Sequence, residues 1–404
     1  MNHMKKTVRD VDISGKRVLI RCDFNVPQSK ETNEITDDAR IVATLPTLEY
    51  LLDNGAMVIA CSHLGRPDGL YAPKLSLKPV AERLSQLLNR PVTLAEADGD
   101  ALPFVLIDDN VKKLASELKP GEIMLLENTR FVPEEEANDP GFAKELASLA
   151  DVFVSDAFGA VHRAHASTAG VAAYLPAVSG FLLDKELQVL GDALSDPKRP
   201  FTAILGGAKI SDKLGVIENL IDKVDRLLIG GGMAYTFLKA SGHSIGNSLC
   251  EDNMTDRARM MMEKAVEKGV DLILPTDHYA VESIGAEPQL IDSIDIPDKL
   301  IAVDVGPATC AKFADTIKTA ATIFWNGPVG IFENPLYAAG TRSIADAMAE
   351  CSGTTIVGGG DSAAAVELFG LTERMSHVST GGGSSLEFIE GKQLPGVVCL
   401  DDAE

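Results

Sequence analysis

Two periods of apolar positions alternate along the chain. Short apolar runs of four or five residues recur, and between them stand stretches whose apolar residues lie three to four apart. In the first half the runs at 16–22, 57–61, 123–126 and 151–154 each predict a buried strand. Ile41, Leu45, Leu48 and Leu52 share one helical face. Capping oxygens and acids at Thr36, Asp37 and Asp38 would start that helix, and Gly55 would end it. A second helix is expected over 77–88 and weaker elements as far as Pro120, while residues 134–136, three glutamates, read as a solvated loop or helix start. In the second half the runs at 201–205, 226–229, 271–274, 301–305, 322–325 and 354–357 predict strands, with Val378 in a last one. Between the halves, Leu182, Leu183, Leu187, Leu190 and Leu194 predict a helix that Pro197 and Pro200 close.

Strands alternating with helices mean βαβ units and parallel sheets. At 404 residues the chain exceeds what one core supports. The expected fold is therefore α/β, with two doubly wound parallel-sheet (Rossmann-like) domains joined by a hinge helix. The expected boundaries are 1–183 for the first domain, 184–200 for the hinge helix and linker, and 201–388 for the second domain. A tail at 389–404 remains, for which packing back on the first domain is an open alternative.

Charge narrows the partners. The formal net charge of −22 argues against nucleic acid and anionic membranes, which repel an acidic protein. Residues 1–200 hold 22 Lys+Arg against 30 Asp+Glu, and residues 201–404 hold 15 against 29. Ten of the fifteen arginines lie in the first half, so an anionic ligand would need a local arginine cluster to overcome the general field. The six cysteines are scattered without a CxxC pair, as in reduced cytosolic proteins. The amino-terminal stretch lacks the apolar core of a signal peptide, and the uncharged run 169–183 is short and contains Pro176. The expectation is a soluble, cytoplasmic protein.

Candidate chemistry sits where the strands end. Arg21, Asp23 and Asn25 follow the first strand, His63 and Arg66 the second, Arg130 the third, and Asp156 and Arg163 the fourth, while the first helix start adds Arg40. In parallel sheets ligands bind outside the carboxyl ends of strands. Converging guanidiniums repel one another unless an anion lies among them, and their planar forks suit phosphate or carboxylate. Any one of these residues has a plainer reading. A single Arg is more often a surface ion-pair partner, Arg21 could pair structurally at its strand end, and His162 with His165 is too few for a metal site. Their recurrence at successive strand ends carries the inference of a small, multiply anionic ligand.

In the second half, strand ends carry glycines instead. Gly206-Gly207-Ala208-Lys209 through Lys213 opens a helix, and triplets stand at 230–232, 358–360 and 381–383. Glycine lets a ligand approach backbone N–H groups, and a helix N-terminus favours anions. Lys209 and Lys213, four apart at a helix start, would place two ammoniums on one face. Asp361 beside this phosphate cradle suggests Mg²⁺ between carboxylate and phosphate. The P-loop pattern is absent. Gly358-x-Gly360-x-x-Ala363 fits the dinucleotide fingerprint, but no acid lies about twenty residues on to hold a ribose, which disfavours a nicotinamide enzyme.

Together these residues resemble the phosphoglycerate kinase family in its bacterial form. The matching stretches are RCDFNVP (21–27), TDDARI (36–41), SHLGRP (62–67), LLENTRF (125–131), DAFGAVHRAHAS (156–167), GGAKISDK (206–213), NGPVGIFE (326–333), GGGDS (358–362) and STGGGSSLEF (379–388). They run in family order across nearly the whole chain. Cys22 stands where an aliphatic residue is more usual, next to Asp23, and reads as an oxidation-sensitive thiol; Ser384 replaces a more usual Ala.

The resemblance implies reversible phosphoryl transfer between 1,3-bisphosphoglycerate and MgADP, giving 3-phosphoglycerate and MgATP, by a monomer that closes its domains. Carried over by position, Asp23, Phe24, Asn25, Arg40, His63, Leu64, Gly65, Arg66, Arg130 and Arg163 would hold phosphoglycerate on the first domain. On the second, Gly207, Lys213, Gly359, Gly360, Asp361 and Ser362 would hold the nucleotide phosphates. Glu333 would take the ribose with Pro328 beside it, and Asp361 the Mg²⁺. Arg40, Lys209 and backbone amides near Gly360 and Gly383 are the candidates to neutralise the transferring group. The alternative of another class is a nucleotide-responsive binding protein without turnover.

Overall fold

The computed structural model describes residues 5–29, 31–96 and 104–403; the first four residues of the stretch read for a leader lie outside them. The chain divides into two compact units, one of residues 1–188 with 393–404 and the other of residues 189–392.

The first unit begins with β1 (Arg17–Arg21), α1 (Ala39–Asp53), β2 (Met57–Cys61), α2 (Lys78–Leu88), β3 (Val92–Ala95) and α3 (Asp109–Glu117). It continues through β4 (Ile123–Leu126), α4 (Pro133–Glu136), α5 (Pro140–Ser148), β5 (Val152–Ser155) and β6 (Ala177–Ser179). The six strands form one sheet in the order β3-β4-β2-β1-β5-β6, every pair parallel. From β1 the sheet grows one way through β2 and the other way through β5, so its topological switch point lies beside β1, where Arg21 ends the strand. Strands β1, β2, β4 and β5 are nearly all buried, as strands of a parallel sheet covered by helices are. The helices start as local chemistry allows. Asp108 and Asp139 cap α3 and α5 by accepting from the amides of Val111 and Phe142, both at 2.8 Å. The acids expected in the first turn of α1 lie just before it instead. Asp38 occupies the cap position but makes no cap bond, because its carboxylate pairs with Arg83 at 2.7 Å.

Helix α6 (Phe181–Ser195) connects the units and ends before Pro197, with Leu183 and Leu190 buried. The carboxyl-terminal residues belong to the first unit: the Asp401 carbonyl accepts from Lys6 N and the Val161 carbonyl from Gly396 N, each at 2.8 Å.

The second unit contains β7 (Phe201–Leu205), α7 (Leu214–Ile221), β8 (Arg226–Ile229), α8 (Gly232–Ala240), α9 (Thr255–Lys268) and β9 (Asp271–Ile273). It goes on with β10 (His278–Val281), β11 (Gln289–Ile291), β12 (Ile301–Val305), α10 (Pro307–Lys318), β13 (Thr322–Asn326), α11 (Ala339–Glu350) and β14 (Thr354–Gly358). Helix α12 (Gly360–Leu368), β15 (His377–Val378) and α13 (Gly383–Ile389) complete it, and α14 (Pro395–Val398) lies in the returning segment. Its main sheet, in the order β15-β14-β13-β7-β8-β9, is also wholly parallel, with the switch point beside β7.

One expected strand goes elsewhere. Residues 301–305 do not join the parallel sheet but pair antiparallel with β10, which pairs with β11, in a separate three-stranded sheet. The apolar run marks burial, and burial alone does not name the partner strand.

Candidate active site

In the first unit the loops after β1, β2 and β4 converge. Asn25 Oδ1 accepts from Gly65 N at 2.9 Å, and Arg130 Nη1 donates to the Gly65 carbonyl at 3.0 Å, so Gly65 is gripped from both sides. Buried Asn128 ties Arg130 to the same turn: its amide donates to the Leu64 carbonyl at 2.7 Å and its Oδ1 accepts from Arg130 N. Arg40, on the first turn of α1, donates to Asp23 Oδ2 at 2.8 Å. Phe24 and Leu64 are buried under these loops, and Arg66 and Arg163 are exposed. Arg163 Nε bonds His162 Nε2 at 3.1 Å.

The electrostatics follow from this packing. Burial, then Arg21, Arg130 and Arg40, hold His63 well below the usual histidine range, so its ring is neutral at pH 7. Burial lowers Arg130 as well; Glu136 opposes the shift, while Arg21 and Arg163 add to it. The structure thus brings Asp23, Asn25, Arg40, His63, Gly65, Arg130 and Arg163 into one basic cluster.

Two readings of this region are corrected. Glu135 is not solvated: it is fully buried, with its carboxylate on Ser167. The pattern of three glutamates hides this, because only tertiary packing separates the middle one from its neighbours. Cys22 is not placed as an oxidation-sensitive thiol would be. It is fully buried, and burial raises its pKa well above the usual value, which disfavours the thiolate that oxidation needs.

In the second unit, loops after β7, β8 and β13 interlock at the switch point. Gly206 N donates to the Asn326 carbonyl and Gly207 N to the Pro328 carbonyl, at 2.9 and 2.8 Å. A Cβ at Gly206 would collide with the Pro328 carbonyl, so this approach requires glycine. Beside them a cavity of about 220 Å³ is lined by Lys213, Asn326, Gly327, residues 359–362 and residues 382–383. Gly359, with φ +88°, turns the chain from β14 into α12, and a Cβ there would sit 2.6 Å from Asn326 Nδ2. Helices α12 and α13 both begin at this cavity, at Gly360 and Gly383, so the positive ends of two helix dipoles lie beside it.

Lys213 and Lys209 do not share a helix face. Both precede α7; Lys213 turns inward to donate to the carbonyls of Gly206 (2.7 Å) and Asn326 (2.9 Å), while Lys209 is exposed. Burial lowers the Lys213 pKa to about 8, against the opposing pull of Asp361 and Asp212. The Ser362 hydroxyl accepts from Gly327 N at 2.5 Å. Glu333 is exposed and lies outside the cavity lining, as does Pro328.

Among the described residues no three His, Cys, Asp or Glu side chains gather as a metal cage. Asp361 is the one carboxylate lining the cavity. This donor set suits a cation that arrives with phosphate oxygens and keeps its water, as Mg²⁺ does. Among the described residues no helix is long and apolar enough to cross a membrane.

Comparison with known proteins identifies the family. The family model for phosphoglycerate kinase matches residues 8–392. A phosphoglycerate kinase of Clostridium novyi is 54% identical over 98% of this chain and 99% of its own, and one of Clostridium perfringens is 53% identical over the whole of both. The solved phosphoglycerate kinase of Coxiella burnetii has a TM-score of 0.87 at 43% identity, and that of Pyrococcus horikoshii 0.83 at 30%, each covering 98% of both chains. The chain therefore belongs to the phosphoglycerate kinase family, phosphotransferases that move a phosphoryl group reversibly between 1,3-bisphosphoglycerate and ADP in glycolysis.

Proposed function

We propose that the two units divide the substrates of this reaction. The first unit holds phosphoglycerate on Asp23, Asn25, Arg40, His63, Arg66, Arg130 and Arg163, with Phe24, Leu64 and Gly65 shaping the turns. The second holds the nucleotide phosphates on Lys213, Gly207 and residues 359–362, with Glu333 and Pro328 at the ribose. The observation that carries this is the contrast between the clusters. One is a set of guanidiniums around a neutral imidazole, suited to a small polyanion; the other is a glycine-walled cavity with one lysine and two helix starts.

Asp361 would hold the Mg²⁺ that comes with the nucleotide and neutralises phosphate charge. The attacking group is already an anion, a carboxylate or a phosphate oxygen, so no general base is required. Catalysis then rests on alignment, charge neutralisation and exclusion of water. Arg40 stays half-exposed while bonded to Asp23, which leaves guanidinium donors for the transferring group. Lys209 and the amides at Gly360 and Gly383 supply the remaining charge compensation. Because the substrates are assigned to different units, residues 184–200 would serve as the hinge that lets them meet. The reading places the protein in the cytoplasm as a monomer.

The test is ATP consumption with 3-phosphoglycerate and Mg²⁺, coupled to glyceraldehyde-3-phosphate dehydrogenase and NADH oxidation. Turnover should vanish when 3-phosphoglycerate is withheld. Arg40→Ala should lower kcat by about 10³-fold while MgADP affinity stays within about twofold. A large loss of nucleotide affinity in that variant would overturn the assignment of Arg40. Nucleotide binding without any turnover in the wild type would favour a binding protein.

A further inference from the structure

Four buried polar residues form a chain beneath the basic cluster, and the reaction assigned above does not use all of them. Arg21, 1% exposed, donates from Nε to Ser167 Oγ at 2.8 Å. Ser167 Oγ in turn donates to Glu135 Oε1, and Ser167 N donates to Glu135 Oε2 at 2.9 Å. At the other end, Arg21 Nη2 meets His63 Nδ1 at 3.1 Å. Ser167 and Glu135 are both fully buried, and α4 carries Glu135 while the loop between β5 and β6 carries Ser167.

The proton positions along this chain are forced. A guanidinium has five donors and no acceptor, and it keeps its proton in proteins. Its contact with His63 Nδ1 is a hydrogen bond only if that nitrogen carries a lone pair, so the imidazole is neutral with its proton on Nε2. The Ser167 hydroxyl has one proton; accepting from Arg21, it must spend that proton on Glu135. Both Glu135 oxygens accept, so the carboxylate supplies the negative end that a buried guanidinium requires. His165 Nδ1 lies 4.0 Å from Glu135 Oε1, and Arg130 and Cys61 also feel the charge of this carboxylate.

We propose that Glu135, acting through Ser167 and Arg21, is a positioning residue that fixes His63 as the Nε2–H tautomer, so that the imidazole meets phosphoglycerate as a hydrogen-bond donor. The proposal rests on the assignment of phosphoglycerate to the first unit. It explains how a histidine among arginines can serve an anion without adding another positive charge.

The test uses the full-length protein with ¹⁵N-labelled histidine imidazoles, the His63 signals being assigned by their loss in His63→Gln. Long-range ¹H–¹⁵N spectra at neutral pH should show one tautomer, with Nδ1 unprotonated and Nε2 protonated. In Ser167→Ala and in Glu135→Gln both ring nitrogens should move toward averaged positions. The KM for 3-phosphoglycerate should rise about tenfold in each, the loss expected for one hydrogen bond to a charged group, with the MgATP KM within about twofold. A wild-type His63 that is Nδ1–H or doubly protonated overturns the proposal. So does a His63 that keeps the single Nε2–H tautomer in both variants, or in whichever of the two folds. Absence of 3-phosphoglycerate turnover in the wild type would instead overturn the functional reading, and the tautomer would still be decided by the spectra.

Discussion

Lys213 answers to two opposing influences. Loss of solvent on burial disfavours its charge, while Asp361 and Asp212 favour it, leaving the pKa at about 8. A lysine that titrates there changes charge within an ordinary assay range. If Lys213 holds a nucleotide phosphate as proposed, its protonated form does so, and kcat/KM for the nucleotide, which reports the free enzyme, should be flat below about pH 7 and fall above about pH 8. Lys213→Ala should remove that alkaline limb. It should also raise the nucleotide KM at pH 7 by about tenfold to a hundredfold, as for a lost charge-assisted bond of about 1.5–3 kcal/mol, and leave the 3-phosphoglycerate KM nearly unchanged. Persistence of the alkaline fall in the variant would assign it to another group.

At the scale of elements, buried aspartates from strand ends hold helix starts that lack local caps. Asp156, just after β5, accepts from Leu182 N at 2.9 Å and Leu183 N at 3.2 Å at the start of α6, while Thr47 accepts from Phe181 N. Asp304 in β12 does the same for α11, accepting from Gly340 N at 2.7 Å. Burial raises both carboxyls to about 7, against the hydrogen bonds that favour the anion. The folded pKa of Asp156 therefore lies above its unfolded value near 4, so the native state binds the proton more tightly. The stability this confers is complete below about pH 4, declines between about 4 and 7, and is absent above. Asp156→Asn keeps an acceptor for α6 without a charge to bury. Its unfolding free energy relative to wild type should rise between pH 5 and about pH 7, by at most about 1.4 kcal/mol per pH unit, and level off above. A constant difference would mean that Asp156 is equally ionised in both states.

These caps also mark the limit of what the sequence reveals. Buried parallel strands are continuous apolar runs, which is why β1, β2, β4, β7 and β13 are legible within a residue or two. The polar residues at their ends are legible because the strands fix where they point. Asp156 as a cap for α6, or Glu135 beneath Arg21, depends on contacts between residues 26 or more positions apart, and no local pattern encodes those. Strands β10 and β11, four and three residues long with polar members, carry too little periodicity to stand out.

For the whole molecule, the question is how a chain of net charge −22 binds two anions. The answer offered by the geometry is local. Surface charges are screened beyond about 8 Å at physiological ionic strength, so a cluster of arginines or a pair of helix starts governs its own surroundings whatever the total. Ten of the fifteen arginines lie in the first 200 residues, whereas the cavity of the second unit is lined by glycines and Lys213. If the two kinds of cradle serve two substrates, each ligand alone should protect its own unit from hydrogen exchange. At a concentration of about 100 times Kd, a ligand stabilises the state that binds it by about 2.7 kcal/mol, which slows exchange about a hundredfold for amides exposed only by opening of the site. With 3-phosphoglycerate the protected amides should fall at residues 23–25, 62–66 and 128–131. With MgADP they should fall at 206–213, 326–329, 358–362 and 381–384. Protection of residues 62–66 by MgADP, with 358–362 unchanged, would reverse the assignment of the substrates. A segregated pattern would show that local donors decide which anion each unit accepts, despite the acidic charge common to both.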